Sequence, residues 1–314
     1  MKTMVTGGAG FIGSNLVDRL LADGHHVDVV DDLSSGSLAN LAEARQVGGR
    51  QVAFHHLDIR DPSLADLVLR RRPEVVFHLA AQIDVRVSVA RPALDAEINI
   101  LGTLNLLEAC RTAGVGKVVF ASSGGTIYGE PQSLPISESH PQIPLSPYGV
   151  SKKVATDYLN TYRALHGLEF TSLALGNVYG PRQDPHGEAG VVAIFAGRLL
   201  SGQQCTIFGS GEATRDYVFV DDVVDAFARA AGRGGGLLFN IGTGVGTSVN
   251  DLYSTMATAA GVEVAAHHGP ARAGELEHVA LDASRAKLHL GWKPWTSIAA
   301  GSAAVLEYFR SRPV

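Results

Sequence analysis

Apolar positions change period along the chain, and those changes mark its elements. Lys2–Thr6 is a short apolar run that ends in glycines. Phe11, Ile12, Leu16, Val17, Leu20 and Leu21 then recur at the spacing of one helix face until Gly24 stops the pattern. Residues 27–30 form a second apolar run, closed by Asp31 and Asp32. Further strand-like runs lie at 52–55, 75–79, 118–121 and 170–175, with helical stretches at 64–71, 99–112 and 151–166. Alternating strands and helices predict an α/β fold with a doubly wound parallel sheet. Helices on both faces account for unbroken apolar runs such as Val75-Val76-Phe77.

After Leu175 the rhythm degrades into a polar loop at 176–190, too long for a simple connection. A helix at 191–201, a short strand at 205–208 and a helix at 220–231 follow, and Leu237–Ile241 is expected to rejoin the main sheet. From Gly242 the pattern is a looser mix ending in a helix near 298–310. The expected division is a large domain of residues 1–175 together with 214–241, and a smaller α+β C-terminal domain of residues 176–213 and 242–314.

Composition narrows the picture by exclusion. The 314 residues are 46% hydrophobic and 18% charged, as in an ordinary globular protein. A net charge of −5 offers no basic face to nucleic acid or to an anionic membrane, and no run is apolar for long enough to span a bilayer. Cys110 and Cys205 lie in no ligand-spaced motif and read as reduced structural residues, which fits the cytoplasm. The first residues enter a buried strand at once, an arrangement that leaves no signal peptide to expect. The histidines come as the adjacent pairs 25–26, 55–56 and 267–268, which project differently, so no metal is expected.

Between the first strand and the first helix stands Gly7-Gly8-Ala9-Gly10-Phe11-Ile12-Gly13. Gly7 permits a tight turn, Gly10 lets the backbone approach a pyrophosphate, and Gly13 lets helix and strand pack closely. A simple turn would also use glycines. Asp31 weighs against that reading, because it ends the second strand 21 residues after Gly10, where a carboxylate takes the hydroxyls of an adenosine ribose. The sheet is then a Rossmann sheet. Asp31 repels a 2′-phosphate and no basic residue follows within Asp32-Leu33-Ser34-Ser35 to receive one, so NAD is expected rather than NADP. Asp58, beside Ile59 after the third strand, either accepts from the adenine amine or caps a turn before Pro62.

Tyr148 and Lys152 stand one helical turn apart. A phenol titrates near 10, so acting as a base at neutral pH needs a downward shift of about three units, about 4 kcal/mol. A neighbouring ammonium together with a positive nicotinamide ring can supply such a field. A Tyr and a Lys at this spacing also occur by chance. Ser122-Ser123-Gly124-Gly125-Thr126 adds hydroxyls at the C-terminal end of a sheet strand, where ligands of doubly wound folds bind.

With these residues the chain resembles an extended short-chain dehydrogenase/reductase, and within that group the UDP-glucose (UDP-galactose) 4-epimerases. The resemblance rests on the glycine string, Asp58-Ile59-Arg60, His78-Leu79-Ala80-Ala81, Asn99 and Ser146-Pro147-Tyr148-Gly149-Val150-Ser151-Lys152. It continues through Asn177-Val178-Tyr179-Gly180-Pro181-Arg182, the segment 214–222, and Arg272-Ala273-Gly274-Glu275. It implies that Tyr148 is the general base and that Lys152 holds the nicotinamide ribose and tunes the phenol. Asn99 and the loop of Leu79, Ala80, Ala81 and Gln82 would line the cofactor, with Ser122 nearby. Asn177, Arg215, Arg272 and Glu275 would meet the nucleotide end of a UDP-sugar, with Val191 also on the substrate side. A homodimer through the 99–112 and 151–166 helices is implied as well; Leu101, Leu104 and Leu107 fit either its buried stripe or the cover of the sheet.

One departure stands out. The resembling epimerases carry a serine where this chain has Gly124, and that serine hydrogen-bonds the reacting hydroxyl. Thr126 is expected to replace it, sharing its phase along an extended segment, with Ser123 in reserve. Absences select the reaction. The acids that 4,6-dehydratases and UDP-glucuronate decarboxylases place before Tyr128-Gly129 are missing here, and Asp31 argues against free NADPH. Reversible oxidation at C4 through a 4-keto sugar is what remains. Val279 stands where several relatives carry a bulky tyrosine, which keeps N-acetylated sugars open; Asp184 stands where relatives acting on UDP-glucuronate carry an arginine.

Overall fold

The computed structural model describes residues 1–185, 190–271 and 276–311. The first half of the main sheet contains β1 (Lys2–Thr6), α1 (Phe11–Ala22), β2 (His26–Asp31), α2 (Ala42–Gly48), β3 (Val52–His56), α3 (Ser63–Arg71) and β4 (Val75–His78). Next come α4 (Val85–Ala90), α5 (Pro92–Ala96), a π-helical turn (Glu97–Leu101), α6 (Gly102–Ala113), β5 (Lys117–Ser123), α7 (Pro147–His166) and β6 (Glu169–Leu175). Then follow β7 (Asn177–Tyr179), α8 (Val191–Leu200), β8 (Thr206–Phe208), β9 (Thr214–Arg215), β10 (Tyr217–Phe219), α9 (Val220–Ala230) and β11 (Leu237–Ile241). The chain closes with β12 (Thr247–Ser248), α10 (Val249–Ala260), β13 (His267–Gly269), α11 (Ser284–Leu290) and α12 (Ile298–Ser311).

The main sheet has seven parallel strands in the order β11-β6-β5-β4-β1-β2-β3, so Leu237–Ile241 does rejoin it at the edge. Chain direction across the sheet reverses between β1 and β4, and that reversal opens a crevice at the C-terminal strand ends. Both faces are apolar because both are covered. In β4, Val75 and Phe77 join the core beneath α1 and α9, whereas Val76 joins the core beneath α3, α6 and α7. The expected helix at 99–112 starts as the π-helical turn, which becomes regular helix only at Gly102. Among the described residues no helix is long and apolar enough to cross a membrane.

Two buried aspartates fasten the last third of the chain to the sheet. Asp216 is fully buried and accepts from Thr243 N (2.7 Å), Thr243 Oγ1 (2.6 Å), Gly244 N (3.0 Å) and Leu281 N (2.9 Å). Asp222, on α9, accepts from Trp295 N (3.2 Å) and from Thr296 N (3.1 Å) and Oγ1 (3.0 Å). Buried Trp292 donates its indole N–H to the Asp222 carbonyl at 2.7 Å. Replacing Asp216 by alanine strands three backbone N–H groups away from water. Asp216→Ala is expected to cost at least about 3 kcal/mol in urea unfolding, and a loss below about 1 kcal/mol would remove the clamp from this account.

Candidate active site

The glycine turn sits at the reversal point. Gly7 has φ +69°, donates to Val30 O at 2.8 Å, and lies so close to the β4 loop that a Cβ on it would fall 2.6 Å from Ala80 N. A Cβ on Gly13 would meet Gly7 O at 2.1 Å. Helix α1 starts from Gly10 with no side-chain cap and no acid in its first turn, so its N-terminal N–H groups and positive dipole end are not used up locally. Phe11 and Ile12 are half-buried in that turn. Asp31 is buried; its carboxylate accepts from Ala9 N (2.9 Å) and from Leu33 N (2.8 Å), the latter aimed by a left-handed Leu33 at φ +59°. Burial raises the Asp31 carboxyl above its ordinary value, and the two N–H donors oppose that rise. Each oxygen keeps lone-pair capacity for a ribose hydroxyl. This donor and acceptor set fits a dinucleotide.

Other candidates on the cofactor side are tied into the scaffold. Asp32 accepts from Ser34 N (2.9 Å) and Oγ (2.6 Å). Asp58 accepts from Arg60 N at 2.8 Å and pairs with the Arg60 guanidinium at 2.5 Å, while Ile59 is buried against α6. In the β4 loop Leu79 N donates to Thr6 O (3.1 Å) and Ala80 N to Thr6 Oγ1 (3.3 Å); Ala81 is half-buried. Asn99, on the π-helical turn, clips Gln82 from both sides, accepting from its N–H (2.8 Å) and donating to its carbonyl (2.9 Å). His78 lies beneath, bridging Thr6 Oγ1 (2.8 Å) and Thr103 Oγ1 (2.9 Å). Burial first, and the Lys152 charge second, pull its imidazole down to about 3, so it is neutral.

The Tyr/Lys pair rides on α7. Ser146 caps the helix by accepting from Gly149 N at 3.2 Å, and Pro147 opens its first turn. Lys152 is 4% exposed; its Nζ donates to Ala121 O at 2.9 Å and lies 5.7 Å from the Tyr148 ring centroid. Burial pushes the Lys152 ammonium down to about 8, with Asp95 opposing. The Tyr148 phenol is pushed above its ordinary value, first by burial and further by Asp95, while a hydrogen bond with Ser123 pulls it back. The protein's own groups therefore do not produce a phenolate. The positive charge of an oxidised nicotinamide is the contribution still required.

The hydroxyls beside Tyr148 divide differently from the phase argument. β5 ends at Ser123, and Thr126 lies in a turn rather than an extended segment, with Thr126 N donating to Ser123 O at 3.3 Å. Strand alternation therefore does not apply to it. Ser123 is the hydroxyl that acts on the phenol, lowering it against burial, whereas among the described residues Thr126 Oγ1 and Ser122 Oγ are buried without a hydrogen-bond partner. Gly124 has a structural reason: a Cβ there would lie 2.4 Å from Leu281 Cδ1 and 3.1 Å from Ala174 O. Gly149 has one too, since a Cβ on it would press to 2.6 Å from the Thr126 carbonyl. Neither contact leaves a local signal, because both partners come from elsewhere in the chain.

On the expected substrate side, β7 pairs with β10 and Asn177 N donates to Asp216 O at 2.7 Å, next along the chain to half-buried Arg215. Arg215 Nη1 donates to Thr214 O at 2.9 Å. Val191 is half-buried at the start of α8. Val279, 1% exposed, packs with Ile127, Tyr128 and Leu281 rather than facing open space. Arg272 and Glu275 lie outside the described residues.

A dinucleotide turn at the reversal of a parallel sheet, with half-buried Tyr148 and buried Lys152 at the C-terminal end of β5 in the same sheet, defines a nicotinamide-dependent enzyme working at an alcohol or ketone carbon. The chain belongs to the NAD dependent epimerase/dehydratase family, which its residues 3–242 match. It is similar to the UDP-glucose 4-epimerase of Mycolicibacterium smegmatis, at 53% identity over 99% of each chain. Among solved structures it is similar to the Thermotoga maritima UDP-glucose 4-epimerase with UDP-glucose (TM-score 0.95, 46% identity, 99% of each chain). It also resembles the Thermus thermophilus UDP-glucose 4-epimerase in complex with NAD (TM-score 0.92, 44% identity, 99% of this chain and 100% of that one).

The glycine contacts yield a direct test. Gly13→Ala is expected to weaken NAD binding at least about tenfold in a fluorescence titration, equivalent to about 1.4 kcal/mol. Unchanged affinity would mean that the turn does not carry the cofactor.

Proposed function

We propose that the chain is an NAD-dependent 4-epimerase of a UDP-hexose, UDP-glucose/UDP-galactose first, working through a transient 4-keto sugar. The observation that carries this reading is the buried Lys152 ammonium beside Tyr148, bonded to the C-terminal end of β5 in the same parallel sheet whose β1 ends in the glycine turn. Tyr148 takes the C4 hydroxyl proton and later returns it. Ser123, whose hydroxyl acts on the phenol, is the group we assign to the sugar oxygen, with Thr126 Oγ1 as a second donor and acceptor. Lys152, anchored on Ala121 O, holds the nicotinamide ribose. NAD⁺, when bound, would supply the acceptor for the C4 hydride and its return to the other face of the ring.

For that return the sugar must turn while its nucleotide stays fixed, so binding energy is placed on the diphosphate and away from the reacting ring. Arg215 and Arg272 are the residues we assign to the diphosphate, and Asn177 and Glu275 meet the nucleotide end with them, with Val191 on the substrate side. Arginine suits the task because its charge is permanent and its fork matches two phosphate oxygens. On this reading residues 1–175 with 214–241 hold the cofactor, and residues 176–213 and 242–314 hold the nucleotide sugar. We further infer a homodimer through α6 and α7. Leu107 is buried under the sheet, whereas Leu101 and Tyr158 remain exposed, as dimer contacts would be in a single chain. Both cysteines are free and buried, in keeping with a cytoplasmic protein.

Turnover of UDP-galactose, UDP-N-acetylgalactosamine and UDP-glucuronate, followed by appearance of the 4-epimers, tests the assignment. The unsubstituted hexose is expected to react fastest, and no epimer from any of the three would refute it. Tyr148→Phe is expected to lower kcat by about 10³-fold or more while retaining NAD; near-normal turnover would remove Tyr148 from the mechanism. Light scattering is expected to return twice the chain mass, and a monomer would exclude the α6–α7 interface.

A further inference from the structure

One buried carboxylate near the pair has no part in the reaction described so far. Asp95, on the short helix α5, is 1% exposed, and its Oδ1 accepts from Gln82 Nε2 and from Asn99 Nδ2, each at 3.0 Å. The same Asn99 amide reaches Ser151 Oγ at 3.3 Å, the residue before Lys152. Asp95 thus joins the cofactor-side loop, the π-helical turn and the catalytic helix at one point. We propose that Asp95 is a positioning residue of the epimerase reaction, a buried anion that orients Gln82 and Asn99 and sets the charge balance of the Tyr148–Lys152 pair. This rests on the reading of that pair as the catalytic machinery.

The charges around it come from every neighbouring element. α7 brings Tyr148 and Lys152; the start of α4 brings Asp84 and Arg86, paired at 3.8 Å; the π-helical turn brings exposed Glu97. Arg91 precedes Asp95 at the exposed start of α5. Of these acids, Asp95 is the one whose field reaches both members of the pair: after burial, it favours the Lys152 ammonium and disfavours the Tyr148 phenolate. The two effects act in opposite catalytic senses. Holding Lys152 charged keeps the cation that steadies the ribose and the phenolate. Raising the phenol restrains Tyr148 from ionising before a second positive charge arrives, which ties proton removal to a loaded cofactor site.

The sign of the test follows. Tyr148 and Lys152 titrate as a coupled pair, and the two limbs of kcat against pH belong to that pair. Removing the anion lowers both values, so the whole bell moves to lower pH. Asp95→Asn keeps the shape and one acceptor oxygen, and with UDP-galactose as substrate both limbs are expected to shift acidward by on the order of one pH unit. A purely structural role would lower kcat uniformly and leave the limbs in place, which would overturn the proposal. Asp95→Ser, uncharged but still an acceptor, is expected to shift them likewise and serves if the first variant does not accumulate. Failure of both to give soluble protein would mark Asp95 as structural and also overturn it. Tyr148→Phe measured in parallel separates the premises. Near-normal turnover there defeats the catalytic pair itself, whereas an inactive Tyr148→Phe with unmoved Asp95→Asn limbs defeats only the role of Asp95.

Discussion

The site depends on one backbone contact, the approach of Gly7 to Ala80 where the parallel sheet reverses direction. With only 2.6 Å between the site of a Gly7 Cβ and Ala80 N, the β1 turn and the β4 loop touch without side chains between them. That closeness leaves the start of α1 facing the crevice. It also places Thr6 where its carbonyl and hydroxyl receive Leu79 N and Ala80 N. His78, desolvated and neutral, extends the contact to Thr103 and so to the turn that carries Asn99.

From Asn99 the same chain of contacts reaches the chemistry. Asn99 meets Gln82, Asp95 and Ser151, and Lys152 follows one residue later, its ammonium bound to the end of β5. A charged lysine 4% exposed is tolerated because a carbonyl receives it and a buried carboxylate lies in range. The result is a preorganised arrangement in which burial holds the phenol protonated, so activation waits on charge delivered with the cofactor.

Much of the scaffold is readable without coordinates, for a physical reason. Strands buried on both faces show as unbroken apolar runs, and Lys2–Thr6 and Leu237–Ile241 fall where such runs stand. The glycine string, Asp31 and the Tyr148/Lys152 spacing are local too, since a turn, a strand end and a helix face each lie within a few residues. The phase assigned to Thr126 fails because it assumed extended backbone where the chain turns after Ser123.

Local pattern alone specifies the alternating α/β scaffold, the dinucleotide turn with its acid, and the Tyr/Lys pair one helical turn apart. These are short-range patterns set by periodicity and by the steric freedom of glycine. Packing alone settled that Leu281 fills the space beside Gly124, that Ser123 is the hydroxyl acting on the phenol, and that the field of buried Asp95 reaches both catalytic groups. Those contacts join residues far apart in the chain. Burial and electrostatic field depend on what packs around a group, and no local pattern carries that information.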